Sequence, residues 1–165
     1  GLLEILARKD VEHRRVAAAD RTVDLDGLMQ MTRTNYDAVV RTSYVFARAF
    51  KQQGAGSIIN VSSVGAYLSH SSMGVYAGLK QAVEVFSTAL RVELKGTGVR
   101  VGTIAPGTTE TEIFDQMRAS GKAVPADKTP ALQAADVASA VRYMLEQPAH
   151  TNVARMLLVS SAESV

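Results

Sequence analysis

The chain has 165 residues, 47% of them hydrophobic and 21% charged, which suits one globular domain burying roughly two-thirds of its unfolded surface. Eighteen Lys and Arg against sixteen Asp and Glu leave a net charge of +2, too small a surplus for the basic field that nucleic-acid binding requires. With no cysteine and only His13, His70 and His150, thiolate chemistry is excluded and a metal site is not expected. Apolar runs such as residues 156–159 fall far short of the roughly 18 residues that span a bilayer, and the N-terminus lacks a secretory pattern, so no membrane partner and a cytoplasmic setting are expected.

Residues 2–19 begin apolar and turn charged between Arg8 and Arg15, which reads as a short helix or a surface loop. From residue 26 to 52 apolar side chains recur at helical spacing, with a break expected near Thr32, until Gly54-Ala-Gly56 stops the pattern. Residues 57–61, Ser-Ile-Ile-Asn-Val, form a β-branched run between turns and read as a buried strand, followed by a loop over 62–73. Residues 74–95 carry Val75, Leu79, Val83, Phe86, Leu90 and Leu94 on one face, and Gly96-Thr-Gly98 closes that helix. A second strand, 99–105, ends at Pro106-Gly107. Helices over 111–120 and 134–146 and a third strand over 154–159 complete the order. This succession predicts a single α/β domain over residues 1–165, with parallel strands joined by right-handed crossovers and helices on both faces.

In such sheets ligands bind beyond the carboxyl ends of the strands. There stand Ser62 and Ser63, and Tyr76 follows Ser63 by thirteen residues at the start of a helix, with Lys80 one turn further on. Four residues advance a helix by about 6 Å and turn it about 40° past a full circle, so phenol and ammonium share a face. A phenol ordinarily ionises near pH 10, and a neighbouring ammonium brings it within reach of proton transfer at neutral pH. Ser63 is placed to hydrogen-bond the same substrate oxygen. A Tyr-x-x-x-Lys alone arises by chance in about one in four chains of this size and usually reflects a lysine stem packed on a ring. The serine at a fixed offset and the Pro-Gly after the next strand lower that expectation to about one per cent or less. For the serine, the spacing to Tyr76 favours Ser63 over Ser62.

The stretches Ser57-Ile-Ile-Asn-Val-Ser-Ser-Val-Gly65, Val75-Tyr-Ala-Gly-Leu-Lys80 and Val99-Arg-Val-Gly-Thr-Ile-Ala-Pro-Gly107, followed by Thr111, resemble the C-terminal portion of a short-chain dehydrogenase/reductase. The resemblance implies a Rossmann-type parallel sheet with helices on both faces, NAD or NADP as cofactor, and an alcohol or carbonyl substrate. It assigns Tyr76 as proton donor or acceptor, and Lys80 as the partner that activates it and binds the nicotinamide ribose. Ser63 would hold the substrate oxygen, and Asn35 would anchor a proton-relay water. Pro106, Gly107, Thr109 through its backbone and Thr111 through its side chain would grip the nicotinamide end. Asn35 also reads as a polar residue that locally interrupts its helix.

The same resemblance predicts what the chain lacks: Gly1 falls where the motif ending the family's fourth strand would stop, so the N-terminal strands and the glycine-rich phosphate cradle are not expected. Residues 97–104 imitate part of that cradle but lead into a strand, and the stretch before Asn35 is longer than usual, with an insertion expected around residues 11–26. A chain holding the chemical groups without the cradle should bind dinucleotide weakly and be inactive alone. The alternative is a non-catalytic association module, a homodimer or homotetramer built through helices 26–52 and 74–95, which charging Phe86 or Leu90 would disrupt.

Overall fold

The computed structural model describes residues 24–68, 73–121, 124, 126 and 130–163; the charged stretch after Arg8, the expected insertion up to residue 23, and His70 lie outside them. Helix α1 (Leu25–Thr32) begins where the Asp24 side chain accepts the Gly27 N–H at 2.9 Å, satisfying an amide that the helix itself leaves unpaired. The break expected near Thr32 is a π-helical turn, Arg33–Asp37, after which α2 (Ala38–Gln53) continues to a left-handed Gly54. Strand β1 (Gly56–Val61) leads through a short 3₁₀ turn, Val64–Ala66, to α3 (Gly74–Glu93). Strand β2 (Val99–Pro106), α4 (Glu112–Ala119), α5 (Ala134–Leu145) and β3 (Arg155–Leu158) follow. A reciprocal cap between Gln133 and Asp136 starts α5.

The strands form a parallel sheet in the order β1-β2-β3, with Ile58 opposite Val101 and Thr103 opposite Arg155. Side chains of opposite parity mark the two faces. Ile58 and Val101 pack with Ala47 of α2 and with Leu90 and Leu94 of α3, joined by Phe50 and Phe86, so α2 and α3 cover one face. Gly102 and Ile59 point to the other, where Met144 of α5 lies over them. Both faces carry helices, as expected, but the handedness differs from the expectation. β1 to β2 and β2 to β3 step the same way across the sheet while α3 and α5 lie on opposite faces, so one of the two crossovers is left-handed, against the general rule. The connection after β2 is long enough, from residue 107 to 133, to carry the chain around to the opposite face.

Three polar devices join these layers. Asn60 of β1 accepts from Ser43 Oγ of α2 at 3.2 Å and donates to Ser87 Oγ of α3 at 2.9 Å, so one strand residue registers two helices. Arg100 donates to the carbonyls of Leu145 (2.8 Å), Gln147 (2.7 Å) and Thr151 (3.2 Å), gathering acceptors from the last residue of α5 and from the turn that follows it. Glu84 of α3 is 1% exposed, and its Oε2 accepts from Thr103 Oγ1 at 2.7 Å and from Arg155 Nε at 3.1 Å, tying α3 to β2 and β3.

Candidate functional site

Ser62 extends the ladder past the end of β1, its N–H donating to Ile104 O at 2.7 Å, and its buried hydroxyl donates to Lys80 O at 3.3 Å. That group is engaged in holding α3. Ser63 is extended and half-buried, and its Oγ accepts the Gly65 N–H at 3.1 Å at the start of the 3₁₀ turn. Where a Gly65 Cβ would stand, Ser63 Oγ and Tyr76 Cε1 would each lie 3.3 Å away. The hydroxyl and the phenol ring therefore converge over one bare backbone position, and the structure takes Ser63 rather than Ser62 to Tyr76.

Lys80 completes the cluster from one turn further along α3. Its Nζ lies 5.7 Å from the centroid of the Tyr76 ring and donates to Val61 O at 3.2 Å. The residue is only 9% exposed, and this burial lowers the pKa of its ammonium from the ordinary 10.5. Asn35 sits in the π-helical turn, a distortion that recurs at functional positions, and the turn packs against α3 with the Tyr36 ring edge-on to Phe86 at 6.4 Å. The Asn35 side chain donates to Met31 O at 3.1 Å; among the described residues no hydrogen bond joins it to Tyr76 or Lys80.

At the end of β2, Pro106 pairs with Leu158 of β3, and Gly107 N–H donates to Leu158 O at 2.8 Å. Thr109 forms an isolated parallel bridge with Leu132: Leu132 N–H donates to Thr108 O at 2.9 Å, and Glu110 N–H to Leu132 O at 2.8 Å. In that pattern the N–H and C=O of Thr109 itself face the opposite side, and among the described residues neither has a partner. One free donor beside one free acceptor complements a primary carboxamide, so the turn fits the amide end of a nicotinamide. Thr111 stands exposed at the start of α4. The phosphate end finds no comparable fit among the described residues. The glycine turns at 54–56 and 96–98 lie at the amino ends of β1 and β2, the end of the sheet away from Ser63 and Thr109. Gly98 has φ +79 and approaches Gly54 O so closely that no side chain fits, so these glycines serve the meeting of two turns.

Sequence reasoning passed over Glu84 and Tyr67. Glu84 follows Tyr76 and Lys80 at intervals of four on the same helix, a charged residue in a stripe that packs inward, and that was the available signal. Its Oε1 is buried with no partner at full hydrogen-bond geometry, while the Tyr67 phenol interacts with the same carboxylate and Arg155 lies 5.5 Å over the Tyr67 ring. Burial first, and the Glu84 carboxylate second, push the Tyr67 phenol up to about 12.

Comparison with known proteins bears on the family and the fold. The family described as short chain dehydrogenase matches residues 14–122. Sulfoacetaldehyde reductase 2 of Chromohalobacter salexigens is 36% identical over 147 residues, covering 86% of this chain and 58% of the relative. A serine 3-dehydrogenase of Agrobacterium fabrum is 32% identical over the same shares of each chain. The closed form of a serine dehydrogenase complexed with NADP+ superposes with a TM-score of 0.78 at 26% identity, covering 87% of this chain and 60% of that one. The chain thus spans 58% of the length of these curated relatives. With over half of its residues matched in sequence and a Ser63, Tyr76 and Lys80 cluster at the carboxyl end of a parallel sheet, the chain belongs to the short chain dehydrogenase family.

Proposed function

We propose that this chain carries the reacting end of an NAD- or NADP-dependent oxidoreductase that acts on an alcohol or carbonyl of a small molecule. The convergence of Ser63 Oγ and the Tyr76 ring over Gly65, with the Lys80 ammonium beside that ring, carries the reading. Ser63 holds the substrate oxygen by a hydrogen bond. Tyr76 gives its phenolic proton to that oxygen in reduction and takes it back in oxidation. Lys80 stabilises the negative charge that develops on the phenol oxygen as the proton leaves, in a site where burial makes the attraction stronger than in water. Asn35 lies in a helix distortion packed beside α3, where it can anchor a water that reconnects the site to solvent. Pro106 and Gly107 set the turn, the free N–H and C=O of Thr109 pair with the carboxamide, and the Thr111 side chain closes over it. A bound nicotinamide supplies or accepts the hydride. No described helix is long and apolar enough to cross a membrane, and a cytoplasmic setting is part of the same proposal.

The test is a titration of NADH and NADPH against the 165-residue chain. With no glycine-rich turn leading from a strand into a helix N-terminus among the described residues, no saturation of nicotinamide fluorescence is expected at tens of micromolar, on the order of concentrations that occupy many dinucleotide enzymes. At millimolar concentration, saturation transfer from protein to the nicotinamide protons should appear. Its absence would remove the reading.

A second reading, association through the long helices, is supported by apolar side chains that face outward: Val45 (67% exposed) and Phe46 on α2, Val85 (61%) and Val92 (68%) on α3. Leu90 and Phe86, expected to lie in such an interface, instead pack into the chain's own core, because the broad apolar face of α3 is turned to the sheet and to α2. Charging Leu90 would unfold the protein rather than dissociate it. The appropriate change is Val85→Lys with Val92→Lys, which should turn a dimer or tetramer into a monomer in light scattering while leaving the circular dichroism unchanged; a wild-type monomer at high concentration would remove the association reading.

A further inference from the structure

Beyond β3 the chain turns back toward the end of β2. Glu163 N–H donates to Ser160 O at 2.9 Å and Ala162 N–H to Ser160 Oγ at 3.3 Å, and this turn carries the Glu163 side chain over Gly107. Its carboxylate accepts the Thr108 N–H at 3.2 Å to each oxygen, and Oε1 also accepts from Thr108 Oγ1 at 3.0 Å. The carboxylate approaches Gly107 so closely that any Cβ there would collide with it. Gly107 does not have a positive φ, and a Cβ there would meet only the end of the Glu163 side chain, which reaches the turn from a segment 55 residues away.

These contacts define how the turn is held. Gly107 N–H is tied to Leu158 O, Thr108 O to Leu132 N–H, and Glu110 N–H to Leu132 O, while Thr108 N–H and hydroxyl are tied to Glu163. The amide on each side of Thr109 is thus engaged, and only Thr109 keeps both its donor and its acceptor for a ligand. A carboxylate acceptor strengthens a hydrogen bond relative to a neutral one of equal geometry, so Glu163 holds both the Thr108 N–H and its hydroxyl although these contacts run from 3.0 to 3.2 Å.

We propose that Glu163 is a positioning residue for the nicotinamide-facing turn: its carboxylate holds Thr108 from behind, so that the free N–H and C=O of Thr109 stay aimed for a carboxamide. The inference rests on the oxidoreductase reading above and adds to it a residue outside every motif that carried that reading. Glu163 does not touch the reacting atoms. It acts through Thr108.

The test compares the wild-type chain with Glu163→Gln, and approaches the same contact from the other side with Thr108→Val and Thr108→Ser. Amide hydrogen exchange and saturation transfer from protein to the nicotinamide protons of NADPH are both measured. Glu163→Gln should speed exchange of the Thr108 amide by about threefold to tenfold, as expected when a charge-assisted hydrogen bond becomes a neutral one, while exchange within β2 stays unchanged. A general loss of stability would instead speed exchange throughout the strand. The same variant should weaken NADPH by about threefold to tenfold. Thr108→Val, which loses only the hydroxyl contact, should fall between, and Thr108→Ser should restore wild-type values. Unchanged Thr108 exchange in Glu163→Gln overturns the proposal, and so does faster exchange with unaltered NADPH affinity. Absence of any transfer from the wild-type chain overturns the oxidoreductase reading and this proposal with it, whereas a wild-type signal that Glu163→Gln leaves intact overturns this proposal alone.

Discussion

In a protein that carries this chain at the full length of its relatives, Tyr76→Phe is expected to lower turnover by about 10²- to 10⁴-fold, the range for removing a positioned general acid or base. The substitution removes one oxygen from a half-buried ring and leaves the packing against Gly65 and the Lys80 stem in place, so dinucleotide affinity and thermal midpoint should stay near wild type. The pH profile should carry the signature of Lys80. Because burial lowers its pKa from 10.5, the ammonium is present below the lowered value and is lost as pH rises through it, so activity that depends on the charge declines at lower pH than an exposed lysine would allow. Steady-state kinetics of the variant decide the matter: turnover within a few-fold of wild type would remove Tyr76 from the chemistry and transfer the role to a group not yet named.

The largest effect on stability is expected from Glu84→Ala. The change strips acceptors from Thr103 Oγ1 and Arg155 Nε and opens a cavity in a position 1% exposed. Breaking such a pair from one side costs about 3 kcal/mol, moderated here because the Arg155 side chain is half exposed and water can reach it. For a chain of this length that corresponds to a fall in thermal midpoint of about 6–12 °C. Glu84→Gln keeps the acceptor for Thr103 and should cost about a third as much. A second readout is independent of unfolding. The fold holds the Tyr67 proton more tightly than the unfolded chain does, so this contribution is fully present below pH 10 and is lost as pH rises toward 12. Replacing the Glu84 carboxylate by an amide should shift the Tyr67 ionisation part of the way back toward 10, since burial, the larger cause, remains. Ultraviolet titration of the variant against wild type measures it, and an unshifted phenol together with an unchanged midpoint would show that Glu84 does not tie α3 to the sheet.

The order of elements and the pairing of Tyr76 with Lys80 were legible in the amino-acid sequence because both follow from local geometry. A β-branched run between glycine turns extends, an apolar stripe at helical spacing coils, and four residues on a helix share a face whatever surrounds them. The break after Thr32 was legible for the same reason, although its form, a π-helical turn, depends on packing against α3. The fixed offset from Ser63 to Tyr76 told which serine faces the phenol, and the structure adds why the other does not: the Ser62 hydroxyl is engaged by the backbone of α3.

Periodicity shows that a helix has an apolar face but not what that face meets. Only the tertiary structure decided that Phe86 and Leu90 turn inward while Val85 and Val92 turn out, and that α5 lies on the far face from α3, so that one crossover departs from the usual hand. The same holds for the contacts that cross the fold. Glu84 finds Arg155 across 71 residues and Glu163 finds Thr108 across 55, and nothing local marks which partner either carboxylate will meet. A charged side chain is ordinarily solvated, and its partner is chosen by which strands and turns the closed fold brings within reach. Local rules therefore determined which residues stand at the carboxyl end of this sheet, and the long-range closure of the chain determined what holds them in place.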